Sequence, residues 1–124
     1  MRVKKLLDKK GHDVFCVSPD TTVYDALKLM AEKEIGALVV LEQGKLVGIM
    51  SERDYARKVI LQGKSSKETA VREIMTSKVI HVSPDKKVGK CLSLMTKNRI
   101  RHIPVLEGER LVGMLSIEDV KSVT

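Results

Sequence analysis

Two short segments of the chain carry a hydroxyl and a carboxylate at the same spacing. Residues 48–54 and 113–119 both read glycine, two apolar residues, serine, two further residues and aspartate. A carboxylate can accept hydrogen bonds from the hydroxyls of a sugar. The unpaired amides and the positive dipole end of a helix's first turn suit phosphate. The chemistry-bearing residues of the two segments are Ser51 with Asp54 and Ser116 with Asp119.

The same spacing is also that of a helix capping box. In a capping box the serine hydroxyl accepts a hydrogen bond from an amide three residues later, and the acidic side chain there bonds back to the serine amide. Capping alone would explain both pairs, and it is compatible with ligand contact.

Cationic side chains distinguish the surroundings of the two segments. Arg101 and His102 precede the second segment, where the first has glycine and alanine at the matching positions. Arg99 and Arg101 alternate along an extended stretch, so both can project from one face toward phosphates, and guanidinium groups bind phosphate in a bidentate manner. Arg53 and Arg57, four residues apart, share a face of the predicted helix that follows the first segment. The open alternatives are solvated charges and an ordinary hydrogen-bonded histidine.

The chain is internally duplicated. Shifted by 65 residues, residues 14–55 match residues 79–120 at 18 of 42 positions without a gap. Fixed-period self-similarity is the sequence signature of repeated structural units. The two serine–aspartate segments are therefore copies of one element.

Hydrophobic periodicity predicts a β-α-β-β-α order in each repeat, which is an α/β (α+β) fold class. A short apolar stretch leads into Ser-Pro-Asp, apolar residues then recur at helical spacing, and two apolar strands separated by a polar turn precede a second helix. In the first repeat the predicted strands are residues 14–17, 37–41 and 46–50, with one helix from residue 23 and another near Ser51. In the second repeat the predicted strands are residues 79–82, 103–106 and 111–115, with one helix from residue 88 and another near Ser116.

We predict a first repeat over residues 1–62, a linker with a short helix over 63–78, and a second repeat over 79–124. One repeat of this size has too little interior to be stable alone. The two repeats are therefore expected to pack their sheet faces together around a pseudo-two-fold axis.

Composition narrows the protein class. The 124 residues are 43% hydrophobic and 31% charged, which favours a folded domain over disorder. Aromatic residues make up 2%, which nearly excludes stacking platforms for nucleic-acid bases. No apolar run is long enough to span a membrane, the start does not resemble a secretory signal, and two cysteines make no disulfide framework. We expect a cytoplasmic protein without membrane association.

The net charge of +7 makes an anionic partner plausible, with a basic, well-solvated surface as the alternative. Residues 1–62 hold 11 Lys and Arg against 9 acids, and residues 63–124 hold 12 against 7. Phosphate-loop, dinucleotide-binding, nucleophile-elbow and metal-ligand spacings are missing. We expect a non-enzyme without a metal or catalytic cofactor.

These features together resemble a tandem pair of CBS domains, the cystathionine β-synthase-type repeats whose pair is called a Bateman module. The resemblance rests on the two Gly-apolar-apolar-Ser-x-x-Asp segments, the two Val-Ser-Pro-Asp starts and residues 100–105. It covers nearly the whole chain and implies a stand-alone regulatory module, an energy sensor that binds AMP, ADP, ATP, NAD(H) or S-adenosylmethionine in clefts between the repeats. It also implies homodimers of modules and an unidentified regulated protein.

The resemblance implies two nucleotide sites. In the family the aspartate of the motif takes the ribose, the hydroxyl lies by ribose or phosphate, and adenine lies in an apolar slot contacted by backbone. The residues carried over are Ser116, Asp119, Arg101, His102, Thr76, Val79, Ile80, Ile103 and Pro104 for one site, and Ser51, Arg53, Asp54, Val14, Phe15, Ala37 and Leu38 for the other.

We expect the site of Ser116 and Asp119 to be the stronger one, since the other lacks the Arg-His pair. Two alternatives stay open. The first is a basic accessory protein that binds nucleic acid, and the second is a protein-interaction adaptor with vestigial nucleotide sites.

Overall fold

The computed structural model describes the whole chain, Met1–Thr124, as a mixed α+β protein with five α-helices and two small sheets. In chain order the elements are α1 (Val3–Lys10), β1 (Cys16–Val17), α2 (Val23–Lys33), β2 (Ala37–Glu42), β3 (Lys45–Ser51), α3 (Glu52–Lys58), α4 (Val88–Asn98), β4 (His102–Glu107), β5 (Arg110–Ser116) and α5 (Ile117–Lys121), with 3₁₀ turns at Ile60–Gln62 and Val71–Glu73.

The chain packs as two compact units whose membership cuts across the repeats. One unit consists of residues 1–14 together with residues 80–124, and it is called the N-terminal unit because it contains Met1. The other, called the central unit, consists of residues 15–79. Helix α1 therefore packs with the second repeat, although residues 1–62 were predicted as one repeat. The division by packing and the division by repetition are different, because α1 buries its apolar face in the core of residues 80–124.

The central unit is built on a three-stranded sheet in the order β1-β2-β3. Strand β1 runs parallel to β2, and β2 forms an antiparallel hairpin with β3. All four residues from Ala37 to Val40 are buried, as a continuous apolar run predicts for a strand covered on both faces. Helix α2 packs Val23, Ala26 and Met30 into this core, and the Thr22 hydroxyl caps it by accepting a hydrogen bond from the Asp25 amide.

The N-terminal unit repeats this hairpin with β4 and β5 in the same register. Helix α4 buries Val88, Cys91 and Met95, and α1 adds Val3, Leu6 and Leu7 to the same core. The strands predicted at residues 14–17 and 79–82 are both wrong in extent, because only Cys16 and Val17 pair in the first stretch and only Val82 forms an isolated parallel bridge, to Val105, in the second. The four strands of the two hairpins begin or end within about one residue of their predicted limits.

The glycine that opens each serine–aspartate segment is required by close packing. A methyl group at Gly113 would lie 2.7 Å from Leu7 Cδ2 of α1. A methyl group at Gly48 would lie 2.6 Å from Met75 Sδ and 3.1 Å from the Thr76 carbonyl oxygen. Each glycine thus lets another segment of the chain, residues 75–76 at Gly48 and α1 at Gly113, lie directly on the strand that leads to the serine and the aspartate.

Candidate functional site

Both serine–aspartate pairs lie where a strand passes directly into a helix. Ser51 ends β3 and is the N-cap of α3, and Ser116 ends β5 and is the N-cap of α5. Each pair forms a complete capping box, with the serine hydroxyl accepting from the aspartate amide and the carboxylate accepting from the serine amide. The capping interpretation is confirmed, and it holds each carboxylate in one fixed orientation.

The carboxylate of Asp54 is enclosed by donors. Its Oδ2 accepts from the Ser51 amide at 3.0 Å and from the Ser51 hydroxyl at 3.1 Å. Its Oδ1 accepts from Thr76 Oγ1 at 3.3 Å and pairs with Lys58 Nζ at 3.0 Å. The Lys58 ammonium also donates to the Ile74 carbonyl at 2.9 Å. This network ties residues 74–76 to α3.

The carboxylate of Asp119 has a different set of partners. Its Oδ2 accepts from the Ser116 amide at 2.8 Å and pairs with Lys10 Nζ at 2.8 Å. Lys10 also donates to the Met114 carbonyl at 2.7 Å. Burial raises the pKa of the Asp119 carboxyl, but the hydrogen bonds from Lys10 and Ser116 outweigh burial, and the net pKa lies below its usual value. The group is therefore an anion at neutral pH.

His102 lies directly across the β4–β5 hairpin from Ser116. Burial lowers the pKa of its imidazole, and the positive charges of Arg101 and Lys10 lower it further against the opposing effect of Glu118 and Asp119. The lowered pKa favours the neutral imidazole at neutral pH, which has one donor and one acceptor nitrogen. In the central unit the matching position across from Ser51 is Ala37, which offers no polar group.

Arg101 forms an ion pair with Glu118 on the surface of the N-terminal unit. Arg101 Nη2 lies 2.9 Å from Glu118 Oε1, and both side chains are more than half exposed. A backbone hydrogen bond at Glu118 and the bond from Arg101 lower the pKa of the Glu118 carboxyl. Because exposed ion pairs contribute little to stability, the guanidinium can exchange this partner for another anion. Arg53, at the position that matches Glu118, is an exposed residue of α3.

The residues expected to contact adenine divide by burial. The side chains of Ala37, Leu38 and Ile103 are fully buried, and Pro104 is buried as well. Only the backbone of these four residues can contribute to a site. The carbonyl of Pro104 already accepts from the Val82 amide, at 3.1 Å.

The remaining residues of the expected apolar slots are more accessible. Val14, Phe15, Val79 and Ile80 are half-buried and Thr76 is exposed. The carbonyl of Phe15 accepts from the Val39 amide at 3.3 Å, and Thr76 exchanges backbone hydrogen bonds with Ile49.

The two compact units divide the expected residues differently from the two implied sites: Thr76 and Val79, assigned with Ser116, belong to the central unit, and Val14, assigned with Ser51, belongs to the N-terminal unit. The N-terminal unit holds Ser116, Asp119, Arg101, His102, Ile103, Pro104, Val14 and Ile80, and the central unit holds Ser51, Arg53, Asp54, Thr76, Val79, Phe15, Ala37 and Leu38.

Sequence reasoning missed the two lysines that pair with the aspartates. Lys58 lies four residues after Asp54, and that helical spacing was a usable signal. Lys10 lies 109 residues before Asp119, and no local pattern links the two.

No group of three or more His, Cys, Asp or Glu side chains is placed to hold a metal ion. None of the helices has the combination of length and apolar character needed to cross a bilayer.

Comparison with known proteins gives consistent matches. The profile of the CBS domain family matches residues 3–61 and 71–123. The mitochondrial CBS domain-containing protein CBSX3 of Arabidopsis thaliana is 51% identical over 115 residues. That match covers 89% of this chain and 55% of the plant protein, so the chain spans about half of that relative.

Solved structures agree with the sequence matches. A protein with CBS domains from Burkholderia ambifaria superposes with a TM-score of 0.96 at 50% identity, covering 99% of this chain and 93% of that one. The CBS domain pair of protein MJ0100, solved with 5′-methylthioadenosine and S-adenosyl-L-methionine, superposes with a TM-score of 0.89 at 29% identity. It covers 99% of this chain and 94% of that one.

Proposed function

Since the chain belongs to the CBS domain family, we propose that it is a regulatory, non-catalytic module that binds an adenosine-containing ligand and signals its occupancy to a partner protein. The solved relative MJ0100 supports the ligand class, because both molecules bound in that structure are adenosine compounds. Signalling requires that the ligand prefer one conformation or assembly of the module over another. The homodimer implied by the family resemblance is part of the proposal.

The observation that carries the proposal is the fixed, ionised carboxylate of Asp119 at the end of β5. The capping box and Lys10 hold it in one orientation, and its side chain keeps 25% exposure. A carboxylate set in this way can accept hydrogen bonds from the vicinal hydroxyls of a ribose without reorganising. Ser116 and His102 add polar groups at the same end of the hairpin.

Arg101 and His102 favour a ligand that carries phosphate. The guanidinium of Arg101 is solvent-accessible and bound only through an exposed pair with Glu118, so a phosphate can replace that carboxylate. We therefore propose AMP, ADP, ATP or NAD(H) ahead of S-adenosylmethionine, whose sulfonium is a cation.

Thermal unfolding of the protein with each of AMP, ADP, ATP, NADH and S-adenosylmethionine tests the proposal. A ligand at about 100 times its dissociation constant adds about 2.7 kcal/mol to the free energy of unfolding, which is a rise of several degrees in Tm. A rise with one or more compounds supports the proposal. No rise with any of them contradicts it and favours a protein-interaction adaptor.

The role of Arg101 can be tested through its partner. Glu118→Gln removes the competing negative charge, so we expect tighter binding of phosphate-bearing nucleotides and unchanged binding of adenosine. Glu109→Gln is the matched control, because Glu109 lies in the exposed β4–β5 turn of the same unit and makes the same change in net charge. Equal effects of the two variants would show that only overall charge matters.

Charge asymmetry supports a second candidate function, nucleic-acid binding. The N-terminal unit holds 13 Lys and Arg against 7 Asp and Glu, whereas the central unit holds 10 against 9. Binding of duplex DNA or RNA that weakens steeply with salt and is indifferent to free AMP would favour this function.

Analytical ultracentrifugation of the protein with and without nucleotide tests the proposed homodimer.

A further inference from the structure

We infer that the N-terminal unit carries a second binding surface, which binds the phosphate backbone of duplex nucleic acid. This surface, the basic patch, consists of Arg2, Lys4, Lys86, Lys87 and Lys90. Its binding does not depend on the adenosine ligand, and it gives the second candidate function a defined location on the molecule.

Two distant segments of the chain build the basic patch. The Val3 amide donates a hydrogen bond to the Lys86 carbonyl at 2.8 Å. Arg2 pairs with Lys87 in an isolated antiparallel bridge, and its guanidinium donates to the Asp85 carbonyl at 2.6 Å. These bonds hold the two runs of cations side by side around a shallow depression of about 410 Å³.

The positive charges of the basic patch are not neutralised within the protein. All five side chains are exposed, and none of them forms an ion pair. Asp85 is the one acidic residue that lines the depression, and its carboxylate also lies outside any ion pair. Because cations held close together raise the local positive potential, the patch attracts a partner with densely spaced negative charges.

The central unit provides an internal comparison, because it repeats the backbone pairing without the cations. Thr22 forms the antiparallel bridge to Ala70 that Lys87 forms to Arg2. The residues that match the basic patch, in the same order, are Ala70, Arg72, Thr21, Thr22 and Asp25. The one cation among them, Arg72, is paired with Asp20. The fold therefore forms without the charges of the basic patch, and they are available for another role.

The basic patch lies away from the motif of Ser116 and Asp119. Val82 pairs in parallel with Val105, so the chain that follows Val82 runs toward the β4–β5 turn. Ser116 lies at the other end of the same hairpin, opposite His102. The basic patch and the proposed adenosine site are therefore at opposite ends of the hairpin.

The composition of the basic patch favours nucleic acid over a protein partner. Protein interfaces are depleted in lysine and enriched in aromatic residues. Four of the five patch residues are lysines, and all three aromatic residues of the chain lie in the central unit. Without aromatic side chains to stack on bases, the patch suits a duplex, whose phosphates lie along its outside. Contacts to phosphate carry no sequence information, so we expect binding without sequence preference.

Fluorescence anisotropy with a labelled DNA duplex and a labelled RNA duplex, over about 50 to 200 mM salt, tests the inference. The test variant combines Lys86→Gln, Lys87→Gln and Lys90→Gln. We expect about tenfold or greater loss of affinity, and a plot of log affinity against log salt that is shallower by about one unit for each lysine that contacts a phosphate. These side chains make no hydrogen bond or ion pair, so the variant should keep the wild-type Tm.

A matched control variant combines Lys45→Gln, Lys64→Gln and Lys78→Gln. These three lysines are exposed residues of the central unit, and the control makes the same change in net charge. It should keep most of the wild-type affinity for the duplex. Binding of either duplex with this difference between the two variants supports the inference.

Three outcomes overturn the inference. A wild type that binds neither duplex at the lowest salt has no such surface, and equal losses of affinity in the two variants would show that only net charge matters. Equal affinity for polyglutamate, an acidic chain without phosphate, would assign the basic patch to an acidic protein instead. The proposed function is tested separately, because a rise in Tm with nucleotide should be the same in the wild type and in the test variant.

Discussion

Lys10 Nζ lies 2.8 Å from Asp119 Oδ2, although 109 residues separate the two in the chain. The ion pair joins the last turn of α1 to the first turn of α5, and both side chains are about one quarter to one third exposed. Helix α1 thereby contributes polar support to the motif as well as the apolar contact of Leu7 with Gly113.

Replacing Lys10 by methionine is expected to lower the free energy of unfolding by about 1 kcal/mol, since a partly exposed charged hydrogen bond is lost. Lys9→Met is the matched control, because Lys9 lies in the same last turn of α1 and is exposed without a partner. Urea unfolding of both variants measures the difference. Equal losses in the two variants would mean that the Lys10–Asp119 pair makes no net contribution.

The ionised carboxylate of Asp119 contributes to the free energy of unfolding over a defined pH range. Its pKa in the folded protein is lower than the unfolded value of about 3.9. This contribution to the free energy of unfolding is therefore fully present above about pH 4, and it is lost as the pH falls through the pKa of Asp119 in the folded protein. The unfolding free energies of the wild type and Asp119→Asn should differ at pH 6 and converge toward pH 3. A difference that is constant over this range would contradict the prediction.

Alanine at the two motif glycines should destabilise the protein by overpacking, which costs about 1–3 kcal/mol. Gly48→Ala should be the worse of the two, because its methyl group meets the Thr76 carbonyl as well as the Met75 side chain, whereas Gly113→Ala meets only the flexible end of Leu7. Urea unfolding compares both with Gly89→Ala. Gly89 is an α4 residue with open space around it, so alanine there is expected to stabilise by about 0.5 kcal/mol.

Two histidines should titrate on opposite sides of the ordinary value of about 6.5. Hydrogen bonds to Asp8 and to the Val112 carbonyl raise the pKa of His12, and burial lowers that of His102. NMR titration of the ring resonances, assigned with His12→Gln and His102→Gln, measures both. The contribution of His102 to the free energy of unfolding is fully present above about pH 6.5, and it is lost as the pH falls through the pKa of His102 in the folded protein. A pKa of His102 above that of His12 would contradict the structure.

The duplication made most of the fold predictable. Apolar runs located the strands β2, β3, β4 and β5, and apolar residues at helical spacing located α2 and α4, because both signals are local and occur twice. The stretch at residues 79–82 was misread as a strand, since an apolar run does not reveal how many residues its partner will pair. The structure pairs only Val82 there.

The candidate site was less predictable than the fold. Spacing alone offered helix capping as one interpretation of Asp54 and Asp119, but their remaining partners are residues that differ in type between the two repeats. Lys10 corresponds to Met75 under the 65-residue shift, and Thr76 corresponds to Gly11. The two motif aspartates therefore have different partners, a difference that the Arg-His pair in the sequence did not reveal.

The division of the N-terminal unit between the two ends of the sequence has a consequence for synthesis on the ribosome. Residues 15–79 form one continuous stretch, so the central unit can fold as soon as that stretch has emerged. Val3, Leu6 and Leu7 are synthesised before the central unit, whereas their core partners in residues 80–124 are synthesised after it. Helix α1 therefore cannot bury its apolar face in its native core until residues 80–124 have also been synthesised.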